Sequence, residues 1–173
     1  MEIGTYPLIS VPYPITLELH VQVHDLQEHW KRCNMLANYV AEYGAYQFSE
    51  REWAENLIST VTNEFLEAVS SLAPANTDLA IRLRHGGNDL MLEFEHELLS
   101  EATGGYAALL SELAGQISDE RYLGLLTTDR PLIDFNQLGL AMVVHDFRAH
   151  VAARINTETS LASVQVMVPI RAE

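Results

Sequence analysis

Residues 15–23, ITLELHVQV, set Ile15, Leu17, Leu19, Val21 and Val23 against Thr16, Glu18, His20 and Gln22. An apolar period of two predicts a strand buried on one face. The period then lengthens. Asp25 is placed to cap a helix over roughly residues 28–43, where Trp30, Cys33, Leu36, Ala37 and Val40 recur at helical spacing and Gly44 offers a stop. Ser49 and Glu52 make a capping-box pattern for a second helix running to about Leu72, before Ala73-Pro74. At about 100° per residue its Leu57, Val61, Phe65, Ala68 and Leu72 share one apolar sector, widened by Ile58 and Val69. Glu64 falls on the edge of that sector, Thr60, Glu67 and Ser71 lie farther round, and Asn63 lies beyond them toward solvent.

AIRLR at 80–84 and LMLEF at 90–94 alternate again around HGGND. Gly86-Gly87 supply the positive dihedrals of a hairpin turn. As an anion-binding loop the pair lacks the longer glycine-rich run and following lysine of a phosphate loop. A helix is expected from Glu97 or Ser100 to about Gly115, weakened or kinked at Thr103-Gly104-Gly105. Residues 116–136 read as irregular, with Gly124, Asp129-Arg130-Pro131 and Asp134-Phe135-Asn136. LGLAMVVHDFRAHVAARI then predicts a helix near 138–150 turning into a strand, and ASVQVMVPI at 162–170 predicts an edge-like strand. The expected fold is α/β, a two-layer helix–sheet sandwich with a mixed, largely antiparallel sheet. One domain is expected over residues 1–173, with 1–14 as an irregular N-terminal extension.

Composition narrows the function classes. A chain of 173 residues can bury about 70% of its unfolded surface, enough for an ordinary core without metal or disulfide staples. Its 10 cationic and 24 acidic side chains leave a formal charge of −14, and Lys31 is the only lysine. That balance disfavours nucleic acid and anionic membrane surfaces and permits a basic protein partner. Cys33 stands alone, so intramolecular disulfides and multi-cysteine metal clusters are excluded. The opening MEIGTYPLISVPYPI lacks a cationic start and is broken by Pro7, Pro12 and Pro14, and no apolar run reaches membrane-spanning length. A cytoplasmic protein is expected.

Local chemistry is sparse. His145 and His150 stand five apart beside Asp146, so zinc would need distant ligands to converge, and no metal site is expected. Cys33 reads as a small core residue, and no serine sits in a nucleophile elbow.

The run NLISTVTNEFLEAVSSLA, then a hairpin, a long helix, LGLAMVVHDF and a valine-rich last strand, resembles the histidine-kinase-like ATPase superfamily. The likeness is to stand-alone bacterial anti-sigma and stress-signalling serine kinase domains and their cyanobacterial relatives. It spans about residues 15–170 and is strongest at 56–70. The resemblance implies the histidine-kinase-like ATPase fold, a sandwich that binds ATP and magnesium. Some such domains phosphorylate a serine of a small anti-anti-sigma partner, and others regulate by binding alone.

The family glutamate that orients or deprotonates the attacking hydroxyl matches Glu64. The magnesium-binding asparagine four residues on matches Ala68, which offers no oxygen ligand. A shifted reading uses Asn63 and Glu67. The adenine-binding aspartate and its glycine fall in Glu93-Phe94-Glu95-His96-Glu97, where Glu95 stands without a glycine. The distal glycine motif falls at Gln137-Leu138-Gly139-Leu140, where Gly139 either opens a helix whose amides face phosphate or simply starts that helix.

With these departures the resemblance implies a degenerate regulatory domain of bacterial signalling, cofactor-free, acting by binding a protein. The partner class is an anti-anti-sigma-like or response-regulator domain. A magnesium- and ATP-dependent serine kinase with Glu64 as catalytic residue is the enzymatic alternative. The third class is a structural dimerisation domain, a homodimer in which the N-terminal alternating strand pairs with its counterpart in another chain.

Overall fold

The computed structural model describes residues 1–9, 13–127 and 137–170. The strands are β1 (Glu2–Ile3), β2 (Ile15–Gln22), β3 (Asp78–Gly86), β4 (Asp89–Glu97), β5 (His150–Asn156) and β6 (Leu161–Pro169). The helices are α1 (Val23–Glu28), α2 (Lys31–Ala45), α3 (Arg51–Leu72), α4 (Thr103–Ala114), α5 (Asp119–Thr127) and α6 (Gln137–His145). One six-stranded sheet has the order β1-β5-β6-β4-β3-β2, with helices on one face.

Every described pairing is antiparallel, where a mixed sheet was expected. The reason is the helical hairpin α2–α3. Two helical passes return the chain to the end of the sheet it left, so Val23 donates its N–H to the carbonyl of Thr77 at 3.0 Å and β3 runs back beside β2. The helix layer follows the strand order: α4 lies over β5 and β1, then α6, then α3 over β4, and α2 packs beside α3 at the β2 end. The ring of Phe65 on α3 stacks on Phe94 of β4 with centroids 5.1 Å apart.

The hairpin forms as expected, but of the glycine pair only Gly87 takes a positive φ, +64°, in the two-residue turn, while Gly86 is the last residue of β3 and pairs with Asp89. Elsewhere boundaries move. The helix expected at 28–43 is two helices broken at His29-Trp30, and Val23 opens α1 instead of closing β2. Trp30 leaves the apolar face altogether and is 71% exposed. Gly44 is no stop: it lies inside α2, where a Cβ would come within 3.1 Å of Leu83 and 3.2 Å of Ile58, so the glycine permits close helix–sheet approach. The capping box at Ser49 does not form. Turn bonds from the N–H groups of Gln47 and Phe48 to Gly44 and Ala45 hold Ser49 outside the first turn, and Glu50 is the N-cap residue.

Thr103-Gly104-Gly105 is the first turn of α4 and not a kink within it. Residues 119–127, expected to be irregular, form α5, a helix with no buried residue. Asp129-Arg130-Pro131 and Asp134-Phe135-Asn136 lie outside the described residues. Helix α6 ends at His145, five residues earlier than expected, because the chain turns at Arg148, whose φ is +54°. β6 is an interior strand between β5 and β4 and not an edge: Val164, Val166 and Val168 are buried under the helices, while Gln165 is buried on the opposite face.

The N-terminal residues are an ordered part of the fold. β1 pairs with β5 at one edge and β2 lies at the other, and described residues between the two strands bond to the outer face of the sheet. There the Leu8 N–H donates to Oε1 of Gln165 at 2.9 Å, and the Tyr6 and Ser163 hydroxyls meet at 3.0 Å. The Arg84 guanidinium donates to the carbonyl of Tyr13 at 2.9 Å. No helix among the described residues is long and apolar enough to cross a membrane.

Candidate functional site

The sequence candidates separate into three places. Burial on α3 spans from Leu57 round to Leu66, because the helix packs on the sheet and on α2 together. The Ser59 hydroxyl donates to Oδ1 of Asn38 at 2.6 Å and marks the flank that faces α2. Glu64 falls on the opposite flank, toward α6, and is partly buried. Ala68 shares that side and is completely buried. Gly139 is buried within α6, the neighbouring helix. Asn63 and Glu67 sit on the outer ridge of α3, where the Asn63 amide donates to Oε1 of Glu67 at 2.7 Å. Asn63 lies on the solvent side of the helix, as its place on the helical wheel indicates, and is partly buried.

Glu95 goes elsewhere. Phe94 faces α3, so alternation turns Glu93 and Glu95 to the outer face of the sheet. There they belong to a ladder of charges. Arg82 donates to Glu18 on β2 and to Glu93 on β4, both at 2.8 Å, and to Glu95 at 3.5 Å. Gln165 continues the row to Glu93 at 3.0 Å. The guanidinium holds the carboxyl of Glu18 below its usual range. The sheet therefore stands between Glu95 and the α3 candidates, and Glu95 cannot share a nucleotide pocket with Glu64.

A cavity of about 500 Å³ opens where α5 meets the turn from α6 to β5, lined by Gln116, Ile117, Asp119, Val144, His145, Arg148 and His150. His145 lies between two carboxylates, with Nδ1 2.6 Å from Asp146 and Nε2 3.0 Å from Asp119. Tyr122 stacks on the imidazole at 4.1 Å and donates its hydroxyl to Asp146 at 3.1 Å. The hydrogen bonds to Asp146 and Asp119 raise the His145 pKa above its ordinary value. Both ring nitrogens are thus engaged by carboxylates. Among the described residues no group of three His, Cys, Asp or Glu is arranged to hold a metal ion. Burial pushes the Cys33 thiol up, away from thiolate chemistry.

A further feature, outside the sequence candidates, is the face of α2. Met35, Tyr39, Tyr43 and Tyr46 recur at helical spacing on the side opposite the buried Cys33, Ala37 and Gly44, and all four are exposed. Trp30 precedes them and Trp53 stands exposed at the start of α3. The Arg51 guanidinium lies over the Tyr46 ring, 3.6 Å from its centroid. Scattered exposed apolar residues are ordinary, but a row of large ones along a single helix marks a contact surface.

Reading of the apolar period missed this row because α2 carries two stripes, and the small-residue stripe of Cys33, Ala37, Val40 and Ala41 is the one that packs. The second stripe, Met35-Tyr39-Tyr43, was the available signal. Asp119 and His145 are 26 residues apart, so no local pattern could have joined them. No protein-family model and no curated protein matches this sequence.

Proposed function

We propose that this chain is a regulatory domain that acts by binding another protein, with the exposed aromatic row of α2 as its docking face. The row of Met35, Tyr39, Tyr43 and Tyr46, flanked by Trp30 and Trp53, carries this reading. Large aromatic side chains bring much contact area at little entropy cost and dominate binding energy at interface centres. The histidine-kinase-like resemblance supplies the partner class, an anti-anti-sigma-like or response-regulator domain.

Two observations favour binding over phosphoryl transfer. Ala68 is enclosed in the core where an oxygen ligand for magnesium is needed, and Glu95 stands on the far face of the sheet. An asparagine introduced at position 68 would bring its amide into packed apolar surroundings, at a stability loss of about 1–3 kcal/mol, without presenting it to a nucleotide.

Affinity capture on the tagged chain, repeated with purified components and without ATP, is the test. Tyr39→Ala combined with Tyr43→Ala is expected to abolish stoichiometric binding while leaving the melting temperature nearly unchanged. Calorimetry with magnesium and ATP is expected to give no binding heat. Transfer of radiolabel from ATP to a serine of the captured partner, lost in Glu64→Gln, would establish the kinase alternative instead.

A further inference from the structure

The geometry points to a twofold dimer in which β2 pairs with β2 of a second copy, antiparallel and centred on Leu19, so that the two sheets become one. This goes beyond the partner-binding reading and is tested without any partner.

β2 ends the sheet. It bonds to β3 along one side, and among the described residues no strand covers the other. A strand of eight residues with an open edge is a template for pairing. One device that blunts such edges, a register irregularity, lies between Ile15 and Leu17 at the start of the strand and leaves the pairing from Leu17 to Gln22 regular. Pro14 lies just before the strand and not within it, and the strand carries no lysine.

Self-pairing about a twofold axis perpendicular to the sheet keeps each face on its own side, so inner residues must oppose inner ones and outer must oppose outer. Leu17, Leu19 and Val21 face the helix layer opposite Leu83, Ile81 and Leu79, and all three are only partly buried. Glu18, His20 and Gln22 face outward. Three centred registers keep this parity along most of the strand. A register centred on Glu18 sets Glu18 against its own copy, a like-charge pair. One centred on His20 sets imidazole against imidazole. The register centred on Leu19 places Leu19 against Leu19 and Leu17 against Val21 on the inner side, and Glu18 against His20 twice on the outer side. Apolar pairs directly across an antiparallel ladder are stabilising and like charges there are destabilising, so the Leu19 register joins three apolar pairs and opposes no two carboxylates.

Charge also selects the occupant. The chain as a whole carries −14, yet the outer row of this edge alternates Glu18 and His20, so a second copy meets it without the repulsion expected of an arbitrary acidic surface. The axis leaves both helix layers on one side of the joined sheet. Two copies of the α2 row then face the same way, an arrangement suited to bivalent docking.

Sedimentation of the purified full chain over a wide concentration range is expected to show a monomer–dimer equilibrium. His20→Glu replaces both cross-strand pairs with Glu–Glu contacts and is expected to weaken the dimer about tenfold, whereas His20→Arg retains it. The His20 side chain is 63% exposed, so neither change should alter the circular dichroism spectrum. Register is read by cross-linking in a Cys33→Ala background, since directly opposed antiparallel residues fall within disulfide reach. Leu19→Cys is expected to oxidise to a linked dimer by itself. Leu17→Cys is expected to do so only when mixed with Val21→Cys. A chain that sediments as a monomer throughout, a dimer indifferent to His20→Glu, or self-linking of Leu17→Cys in place of Leu19→Cys would overturn the proposal.

Discussion

Two buried rings, Phe65 of α3 and His96 of β4, show what a single residue contributes. Phe65 is fully buried on α3 and stacks on Phe94, so Phe65→Ala removes the contents of a packed site that cannot fully collapse. A loss of about 3–5 kcal/mol in denaturant unfolding is expected. Two residues after Phe94, His96 points to the same inner face and is completely buried near the Tyr106 ring. Burial pushes its pKa down to about 4. Because the unfolded chain takes up this proton more readily, stability is complete above the ordinary histidine pKa and declines as pH falls from about 6.5 toward about 4, by roughly 3 kcal/mol. His145 acts with the opposite sign. Its pKa is raised by its carboxylate partners, so its stabilisation is present below the ordinary value and is lost as pH rises through the folded one. Urea unfolding should show a decline between about pH 6.5 and about pH 4 that His96→Phe flattens, and a separate loss as pH rises above the ordinary histidine value that His145→Gln removes. Phe65 was legible as a core position from helical period alone. The state of His96 was not, since FEHE reads equally well with its charges on either side.

At the scale of elements, the outer face of the sheet is tied together by one guanidinium. Arg82 joins β2 to β4 through Glu18 and Glu93, and Gln165 passes the row from Glu93 to Leu8 of the N-terminal segment. Glu93 is nearly inaccessible to solvent, so Arg82→Met leaves a buried carboxylate without its counter-charge. A loss of about 3 kcal/mol is expected in denaturant unfolding, and adding Glu93→Leu should restore most of it, because removing both charges removes the desolvation penalty together with the pair. The alternation along each strand was readable in AIRLR and LMLEF, while the register that sets Arg82 opposite Glu93 came with the two-residue turn of the folded hairpin. That residues 1–9 form a pairing strand and a segment bonded to the outer face of the sheet was not readable. Their bonds go to Ser163, Gln165 and Arg154, some 150 residues away in the chain.

For the whole molecule, the alternating and helical periods determined most of the elements, the α/β class, the helix-covered sheet face and the apolar core of α3. These depend on interactions between residues a few positions apart, which the order of side chains records directly. Tertiary structure alone decided the rest. The all-antiparallel order of the sheet follows from how α2 and α3 return the chain. The enclosure of Ala68 depends on burial from several directions at once, and the separation of Glu95 from Glu64 on the layer between them. The exposure of the α2 row depends on which of two apolar stripes finds a partner. A local pattern states that a face is apolar, and only packing of distant segments determines whether that face is covered.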